Sequence, residues 1–399
     1  MMKILYAFVL LFGSLTFAQN IAIRGSIKDA QTKEPLLAAS VGVQNSGLGT
    51  ITNEEGLFQL SAPKSSVIVI TYLGYKTTAI PVSEFTQEVQ NIALEPSEEK
   101  LEEVIVTKTP LHEYLLDVFK VSKARFNKPI LLHTYYREFV KSNGKHVKFS
   151  DGLLDYHVSG TTKKTKSDLV IPQNRSFFLS SDEDDEDSRS LVNIQTAISR
   201  SYDFGYFIET LLDDDHYEDY EFMLKSKKDN SGAELYTIYF EPIASIEKPL
   251  NKGWVTFDPK TKLIYEIETF MAPSHQQYAR TINFLIGKAS IVDIKYKVAF
   301  KLANSNYLMY YSNRYGKVRI WNKKLNYIEE WRSDLIVTDF EKDKPYDKKS
   351  VFKKKRLYDK PTHYTDKFWQ KNNAIVLTAE EEKVISSLEK EAVTAPKSE

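Results

Sequence analysis

Between Ile21 and Glu95 the chain is cut into short alternating apolar and polar segments, with turn residues about every eight to twelve positions. Segments of that length are too short for helices that bury a face, so they must pair as strands. The candidate strands are Ile21 to Lys28, Ala39 to Gln44, Gly49 to Thr52, Leu57 to Leu60, Val67 to Tyr72, Tyr75 to Pro81 and Val89 to Leu94. Asn53 to Gly56 reads as a hairpin turn, because Gly56 tolerates positive φ and Asn53 bonds its own backbone. Gly74 plays the same part between the next two strands. Seven strands in so short a stretch predict two sheets packed face to face, with Ile23, Val41, Val43, Phe58, Leu60, Ile68 and Ile70 in the core. The 24 Tyr and 22 Phe of the 399 residues favour sheet throughout, since flat rings pack well on a pleated surface. The expected class is mainly β with some helix.

At these residues a resemblance emerges. IRGSIKDAQTKEPLLAASVGVQNSGLGTITNEEGLFQL followed by ITYLGYKT resembles the carboxypeptidase regulatory-like domain, a transthyretin-like sandwich. The glycine, the Glu-Pro-Leu turn, the Thr-Asn-x-x-Gly-x-Phe hairpin and the Leu-Gly-Tyr-Lys turn arrive in order. Such a module is often the first domain of exported proteins of Gram-negative bacteria, TonB-dependent receptors among them. The resemblance implies an accessory sandwich and none of a carboxypeptidase's catalytic residues. Leu101 to Thr107, LEEVIVT, resembles the segment that commonly follows the module in such receptors. The rest of the chain departs from the receptor pattern, for it lacks the repeated ~10-residue alternating segments and aromatic girdles of a membrane barrel.

Five regions are expected. Residues 1–18 read as a signal peptide, with Lys3, an apolar run from Ile4 to Leu15, and Thr16 and Ala18 before the cut. That run is shorter than the ~20 residues of a spanning helix, and no later stretch replaces it, so no transmembrane segment is expected in the mature chain. Residues 20–96 form the sandwich, 97–110 a linker, 111–340 an α+β domain, and 341–399 a basic linker with a helical tail.

In the large domain, Leu111, Leu115, Val118, Phe119 and Ser122 recur at helical spacing. After Pro129, HTYYREFVKSNGKHVKFSDGLLDYHV reads as a hairpin turning at Asn143-Gly144, and this region is similar to the second region of exported proteins that carry the same module. That similarity implies no chemistry. A helical segment is expected from Leu191 to Leu212. Strands follow at Leu235 to Glu241, Trp254 to Asp258, Leu263 to Met271, Ile291 to Leu302, Tyr307 to Ser312, Lys317 to Asn322 and Tyr327 to Phe340. Long consecutive strands predict a large curved antiparallel sheet, half open, with helices across one face. Its pattern is similar to that of periplasmic lipoprotein-sorting proteins. From Glu341 to Pro361, nine Lys or Arg against four acids mark the basic linker, and Glu380 to Lys390 the tail helix.

Charge and composition exclude much chemistry. Lys plus Arg and Asp plus Glu balance at 54 each, which removes the electrostatic footprint of a nucleic-acid binder. With no cysteine there is no disulfide, thiolate metal site or thiol nucleophile. His112-Glu113 begins a zinc-protease helix motif, but Leu116 stands where the second histidine is needed. Ser142 to Lys145 and Ser245 to Lys248 have Ser-x-x-Lys spacing but read as turns. The acids 182–187 lack the spacing and glycine of a calcium loop, and Asp213 to Asp215 beside His216 read as a helix end. Lys353 to Arg356, with Phe352 and Tyr358, read as a loop able to touch anionic lipid. Tyr202, Tyr206, Phe207, Tyr217 and Tyr220 read as core aromatics, the rival being an aromatic binding face. Glu266, Glu268 and His275 are the candidates for polar groups converging inside the sheet.

No catalytic, cofactor-binding or metal residue is assigned, and the ligand-binding residues are unknown. The expected function is non-enzymatic: an exported protein of the periplasm or outer membrane of a Gram-negative bacterium that docks a partner through its sandwich. A glycan or lipid ligand is the alternative, with a carbohydrate-binding accessory role, and an enzyme of new type comes third.

Overall fold

The alternation in the first hundred residues resolves into seven strands. In the computed structural model, which describes residues 20–97, 103–179, 193–228, 234–284, 287–364 and 375–394, these are β1 (Asn20–Asp29), β2 (Ser40–Val43), β3 (Gly49–Ile51), β4 (Leu57–Pro63), β5 (Val67–Thr71), β6 (Thr78–Pro81) and β7 (Gln90–Leu94). They form a three-stranded sheet in the order β4-β1-β7 and a four-stranded one in the order β3-β2-β5-β6. All the expected core residues are buried between the two, with Val41, Leu60, Ile68 and Ile70 at 0% exposure. The signal segment 1–18 and the acids 182–187 lie outside the described residues.

The remaining strands are β8 (Glu103–Val104), β9 (Ile130–Ser142), β10 (Lys145–Gly160), β11 (Thr165–Phe178), β12 (Tyr220–Lys228), β13 (Glu234–Pro242), β14 (Asn251–Phe257), β15 (Ile264–Met271), β16 (Thr281–Phe284), β17 (Gly287–Ala303), β18 (Asn306–Trp321) and β19 (Asn326–Lys342). Eleven of them run β11-β10-β9-β19-β18-β17-β15-β14-β13-β12-β8, all antiparallel neighbours, and β16 pairs with β17 beside that path. Asn143 and Gly144, at φ 48° and 82°, make the expected two-residue turn between β9 and β10. Bulges interrupt the register in β10, β15, β17, β18 and β19, and each bends its strand.

Helix α1 (Leu111–Arg125) buries Leu115, Val118 and Phe119 against one face of this sheet, where the even-numbered β9 residues Leu132, Tyr136 and Val140 point. The expected helix over 191–212 is broken. Its described part is a 3-10 turn, then α2 (Ala197–Asp203), then a further turn and a π-helical stretch ending at Leu212. The break is Phe204, held at φ 51° so that its fully buried ring sits 5.1 to 5.7 Å from those of Phe119, Phe126 and Phe300. A non-glycine residue in the left-handed region is strained, and four-ring packing offsets that strain.

Three further departures have local causes. The strands expected at Tyr307 to Ser312 and Lys317 to Asn322 are one continuous β18; a β-carbon on its Gly316 would stand 2.0 Å from the Trp331 ring, so the glycine serves close packing within a strand. Strand β11 escaped the alternation because Pro172 interrupts it, and Pro172 falls where the β10–β11 register shifts between Leu153 and Asp155. Nor is the sheet left half open. Odd-numbered β9 residues face away from α1, and on that side Ala38 and Ile51 of the sandwich pack on Tyr135, Ala299, Tyr311 and Ile336, while Ile385 and Leu388 of α3 (Ala379–Thr394) pack on Phe139 and Phe149. The basic stretch after β19 lies along the sheet: Phe352 N–H donates to Leu169 (2.7 Å), Leu357 is buried, and His363 exchanges two backbone hydrogen bonds with Asn174 on the outer side of β11 (2.8 Å each). An edge strand is thereby capped.

Phe119→Ala would empty the centre of the ring cluster under α1. The expected loss is about 3–5 kcal/mol, read from the urea midpoint of the full chain.

Candidate functional site

Residues directly opposite one another on neighbouring strands point to the same face, so a register fixes a row of side chains. On the sandwich side of the large sheet one such row crosses ten strands: Met223, Tyr239, Trp254, Glu268, Lys297, Asn313, Asp334, Arg137, Asp151 and Arg175. Beside it runs a second row of Lys252, Phe270, Lys295, Tyr315, Arg332, Phe139, Phe149 and Phe177. Cations lie over rings along it, Lys252 over Phe270 at 5.6 Å, Lys295 over Tyr315 at 5.5 Å and Arg332 over Phe139 at 5.4 Å.

Where the first row passes beneath the sandwich and α3 it is charged and buried. Arg137, whose side chain is 3% exposed, donates from Nε to Asp334 (2.8 Å) and from Nη1 to Glu381 of α3 (2.9 Å). Arg332 pairs with the other oxygen of Glu381 and with Glu54 of the sandwich. One guanidinium pair thus joins the sheet, the C-terminal helix and the first domain. Glu381 also starts α3 through a capping box, in which its carboxylate accepts from Thr378 N–H (2.9 Å) while Thr378 Oγ1 accepts from Glu381 N–H (3.1 Å). Burial opposes the Arg137 charge, but the Asp334 and Glu381 carboxylates outweigh it and hold the guanidinium protonated above its usual range. Burial likewise opposes the Asp334 charge, and the two guanidiniums, with hydrogen bonds from Asn313 and Arg137, hold its carboxyl below the usual value.

Asp151, two strands from Asp334 along the row, goes the other way. Its burial is complete and pushes its pKa up, although Arg175 donates to both oxygens (2.8 and 3.0 Å) and the Tyr135 hydroxyl donates at 3.0 Å. Asp151, Arg175 and Tyr135 line a cavity of about 430 Å³, closed by Arg24, Phe58 and Gln59 of the sandwich and by Ile375 to Leu377. Tyrosine hydroxyls here are raised well above their usual range by burial, so they act as hydrogen-bond donors rather than nucleophiles. The arrangement is suited to holding elements together and to hydrogen bonding, with no nucleophile and base in contact among these residues.

The sandwich meets the sheet at a second charged point. Its β2–β3 loop covers β17 and β19: a β-carbon on Gly47 would stand 2.5 Å from Asp339 Oδ1, and one on Gly49 3.8 Å from the Lys301 amino group. Asn304 Nδ2 donates to the Asn45 carbonyl (3.1 Å). Burial pushes Lys301 down to about 8, with Asp339 only partly restoring the charge, and its amino group stands 5.4 Å from the centre of the Tyr310 ring.

Most residues singled out in the sequence lie elsewhere. Glu266 and Glu268 do converge, on Lys297 at 2.9 and 3.4 Å, whereas His275 is buried apart from them between Ser274 Oγ and the Ile243 carbonyl. His112 stacks on Tyr217 at 4.0 Å. Ser142 and Lys145 flank the β9–β10 turn, and Lys248 pairs with Asp219 (2.6 Å). Asp213 and His216 hydrogen-bond within one turn. Tyr202, Phe207 and Tyr220 are core residues, and Tyr206 stands exposed with Asn251 donating to its hydroxyl (3.0 Å). Lys353 to Lys355 are exposed, while Arg356 pairs with Asp359 (3.1 Å). Sequence reading missed Arg137, Asp151, Asp334 and Arg332. The available signal was a charge amid aromatic and aliphatic neighbours, as in YYREF and WRSDLIV, where a solvated residue is not expected.

Two outcomes are expected. Arg137→Met leaves the buried Asp334 and Glu381 with Arg332 as their remaining cation, costing about 3–5 kcal/mol, and loosens α3, so that limited proteolysis cuts within residues 375–394 at a lower protease dose than in the parent. Lys301 binds fewer protons folded than unfolded between about pH 8 and its ordinary 10.5, so its contribution to stability rises with pH across that window. Lys301→Met therefore raises the urea midpoint at pH 7 and flattens its rise from pH 8 to 10.

Comparison with known proteins places the first domain. Residues 23–106 match the family model of the CarboxypepD_reg-like domain. Over 90 residues the chain is 40% identical to the TonB-dependent receptor SusC of Bacteroides thetaiotaomicron, a match covering 23% of this chain and 8% of that receptor. Among solved structures, a DUF1329 family protein from Desulfovibrio piger aligns at 9% identity and a TM-score of 0.24, over 58% of this chain and 91% of that one. A structure of lipovitellin concerned with its lipid–protein interactions aligns at 10% identity and 0.24, over 56% and 26%. At those scores neither likeness bears on the fold. The motifs of the first hundred residues and the two-sheet sandwich they form agree with the family match: over residues 23–106 this chain carries a CarboxypepD_reg-like domain.

Proposed function

We propose that this chain is a non-enzymatic envelope protein with a binding or assembly role at the periplasmic side of the outer membrane of a Gram-negative bacterium, docking a partner through its first sandwich. The observation that carries this reading is the 40% identity of that sandwich to the corresponding part of an outer-membrane receptor. The sandwich meets the sheet through Ala38 and the stretch Asn45 to Glu54, with Arg24, Phe58 and Gln59 closing the cavity beside them. Strands β6 and β7 are edge strands of their respective sheets, with Ala79 and Asn91 exposed. A sheet edge offers backbone donors and acceptors to an added strand from a partner. The neutralised charges of the buried row support an anchoring rather than a catalytic use of the second domain. No helix among the described residues is long and apolar enough to cross a membrane, which suits attachment through a partner.

The test is crosslinking of the tagged chain in its native envelope, followed by mass spectrometry. A defined outer-membrane complex is expected, with recovery reduced severalfold by Ala79→Glu and Asn91→Arg together. Recovery of the chain alone, or capture unchanged by that double variant, overturns the proposal.

A further inference from the structure

At one end of the large sheet, β17, β18 and β19 run on past Phe270, the last residue of β15 paired to β17, and β16 pairs along the extension. The register there sets Ile282, Ala289, Ile320 and Tyr327 side by side, with Asn283, Lys288, Trp321 and Asn326 in the next row. The β9–β10 turn adjoins them: Asn143 N–H donates to the Ile328 carbonyl (2.8 Å), and Ile328 N–H donates to Asn143 Oδ1 (3.0 Å). In the β18–β19 turn Asn322 Oδ1 accepts from the N–H groups of Lys324 (2.7 Å) and Leu325 (2.8 Å). Lys323, Lys324 and Leu325 are all exposed on that turn. Three aliphatic side chains project at this end, Ile282 at 58%, Leu325 at 53% and Ile328 at 36% exposure. Charge here is of one sign. Residues 140–150, 280–292 and 314–328 together hold ten Lys or Arg and no Asp or Glu, in a chain whose two signs balance. Six of these cations, Lys145, Arg280, Lys288, Arg319, Lys323 and Lys324, are exposed, and among the described residues none of the six pairs with a carboxylate. Bordering carboxylates are engaged or buried: Asp151 with Arg175, Asp293 with Lys295 (3.8 Å), Glu330 with Lys317 (3.5 Å), and Glu138 and Glu329 buried. Glu380 of α3 shares a cavity with Lys141 and His146.

We infer that this end of the sheet docks on the surface of an anionic phospholipid bilayer. Headgroup phosphates supply the counter-charge that the six cations lack, and the apolar layer just beneath takes up Ile282, Leu325 and Ile328. A nucleic acid answers only the cations and leaves the three aliphatics in water. An apolar peptide answers only the aliphatics and leaves the cations without counter-charge. The missing acids matter as much as the bases present, because a carboxylate at the contact would be repelled by the headgroups. Exposed aliphatics scattered singly are ordinary on a protein surface. Here three stand on adjoining strands and turns within a field of one sign. This inference is independent of partner docking at β6 and β7.

Flotation with vesicles tests it on the chain recovered from its native envelope, using phosphatidylethanolamine and phosphatidylglycerol in equal parts against phosphatidylcholine alone. Binding to the anionic vesicles is expected, weakening as salt is raised, with none to phosphatidylcholine. Lys323→Ser together with Lys324→Ser should lower the partition coefficient roughly tenfold or more, and Leu325→Ser several-fold with the salt dependence kept. All three positions are exposed, and an unchanged melting temperature separates loss of the surface from loss of fold. On the other exposed basic run, Lys353→Ser, Lys354→Ser and Lys355→Ser together should leave binding as in the parent. No flotation, the result expected if the acids 182–187 or a soluble polyanion occupy these cations instead, overturns the inference. So do equal binding to phosphatidylcholine, full binding by the variant at Lys323 and Lys324, and loss confined to the variant at Lys353 to Lys355. A captured envelope partner with no vesicle binding sinks this surface and leaves the partner proposal standing.

Discussion

The arrangement of three chain segments around one sheet depends on a buried guanidinium. Arg137 comes from the middle of a central strand, and its two carboxylate partners come from the neighbouring strand and from the C-terminal helix. Removing such a cation from water is unfavourable unless charge and hydrogen bonds are both restored, and here two short ion pairs do so. Because Glu381 also caps its own helix and bonds Arg332, which in turn reaches Glu54, displacement of any one segment leaves charges of the others uncompensated. The sandwich is held by the same logic at its other contact, where Asn45 to Gly49 cover the half-buried Lys301.

Geometry of the antiparallel sheet turns isolated charges into a network. With a period of two, every second residue of each strand reaches the sandwich side, and the antiparallel register sets Asp334, Arg137, Asp151 and Arg175 side by side in alternating sign. The adjoining row alternates rings and cations by the same means. On the opposite face the even-numbered positions build an apolar core under α1, so one strand serves both a charged and an oily environment without conflict.

How much of this was legible follows from the range of each signal. Gly56 and Asn53, or Asn143 and Gly144, fix a turn within a few residues, and alternation fixes which way Ile23 or Phe58 points; these local rules located the sandwich and the first hairpin of the large sheet. They failed where a tertiary contact overrode local preference. Phe204 breaks a helix because three rings from distant segments hold it, and Gly316 sits inside a strand because Trp331 needs the space. Glu266 and Glu268 were within reach of sequence reasoning because they share one strand face, whereas their partner Lys297 required the β15–β17 register.

The sequence by itself determined that the chain is mainly β, that it carries a small sandwich of a recognisable kind, and that cysteine and thiolate chemistry have no part in it. It determined these because turn chemistry, side-chain period and composition are properties of neighbouring residues. Only the tertiary structure decided which charges meet, that the sandwich and the C-terminal helix cover one side of the large sheet, and that Tyr239, Trp254 and Phe270 stand together. Those facts depend on strand order and register, set by the total burial of both faces and by ion pairs between residues as far apart as Arg137 and Glu381.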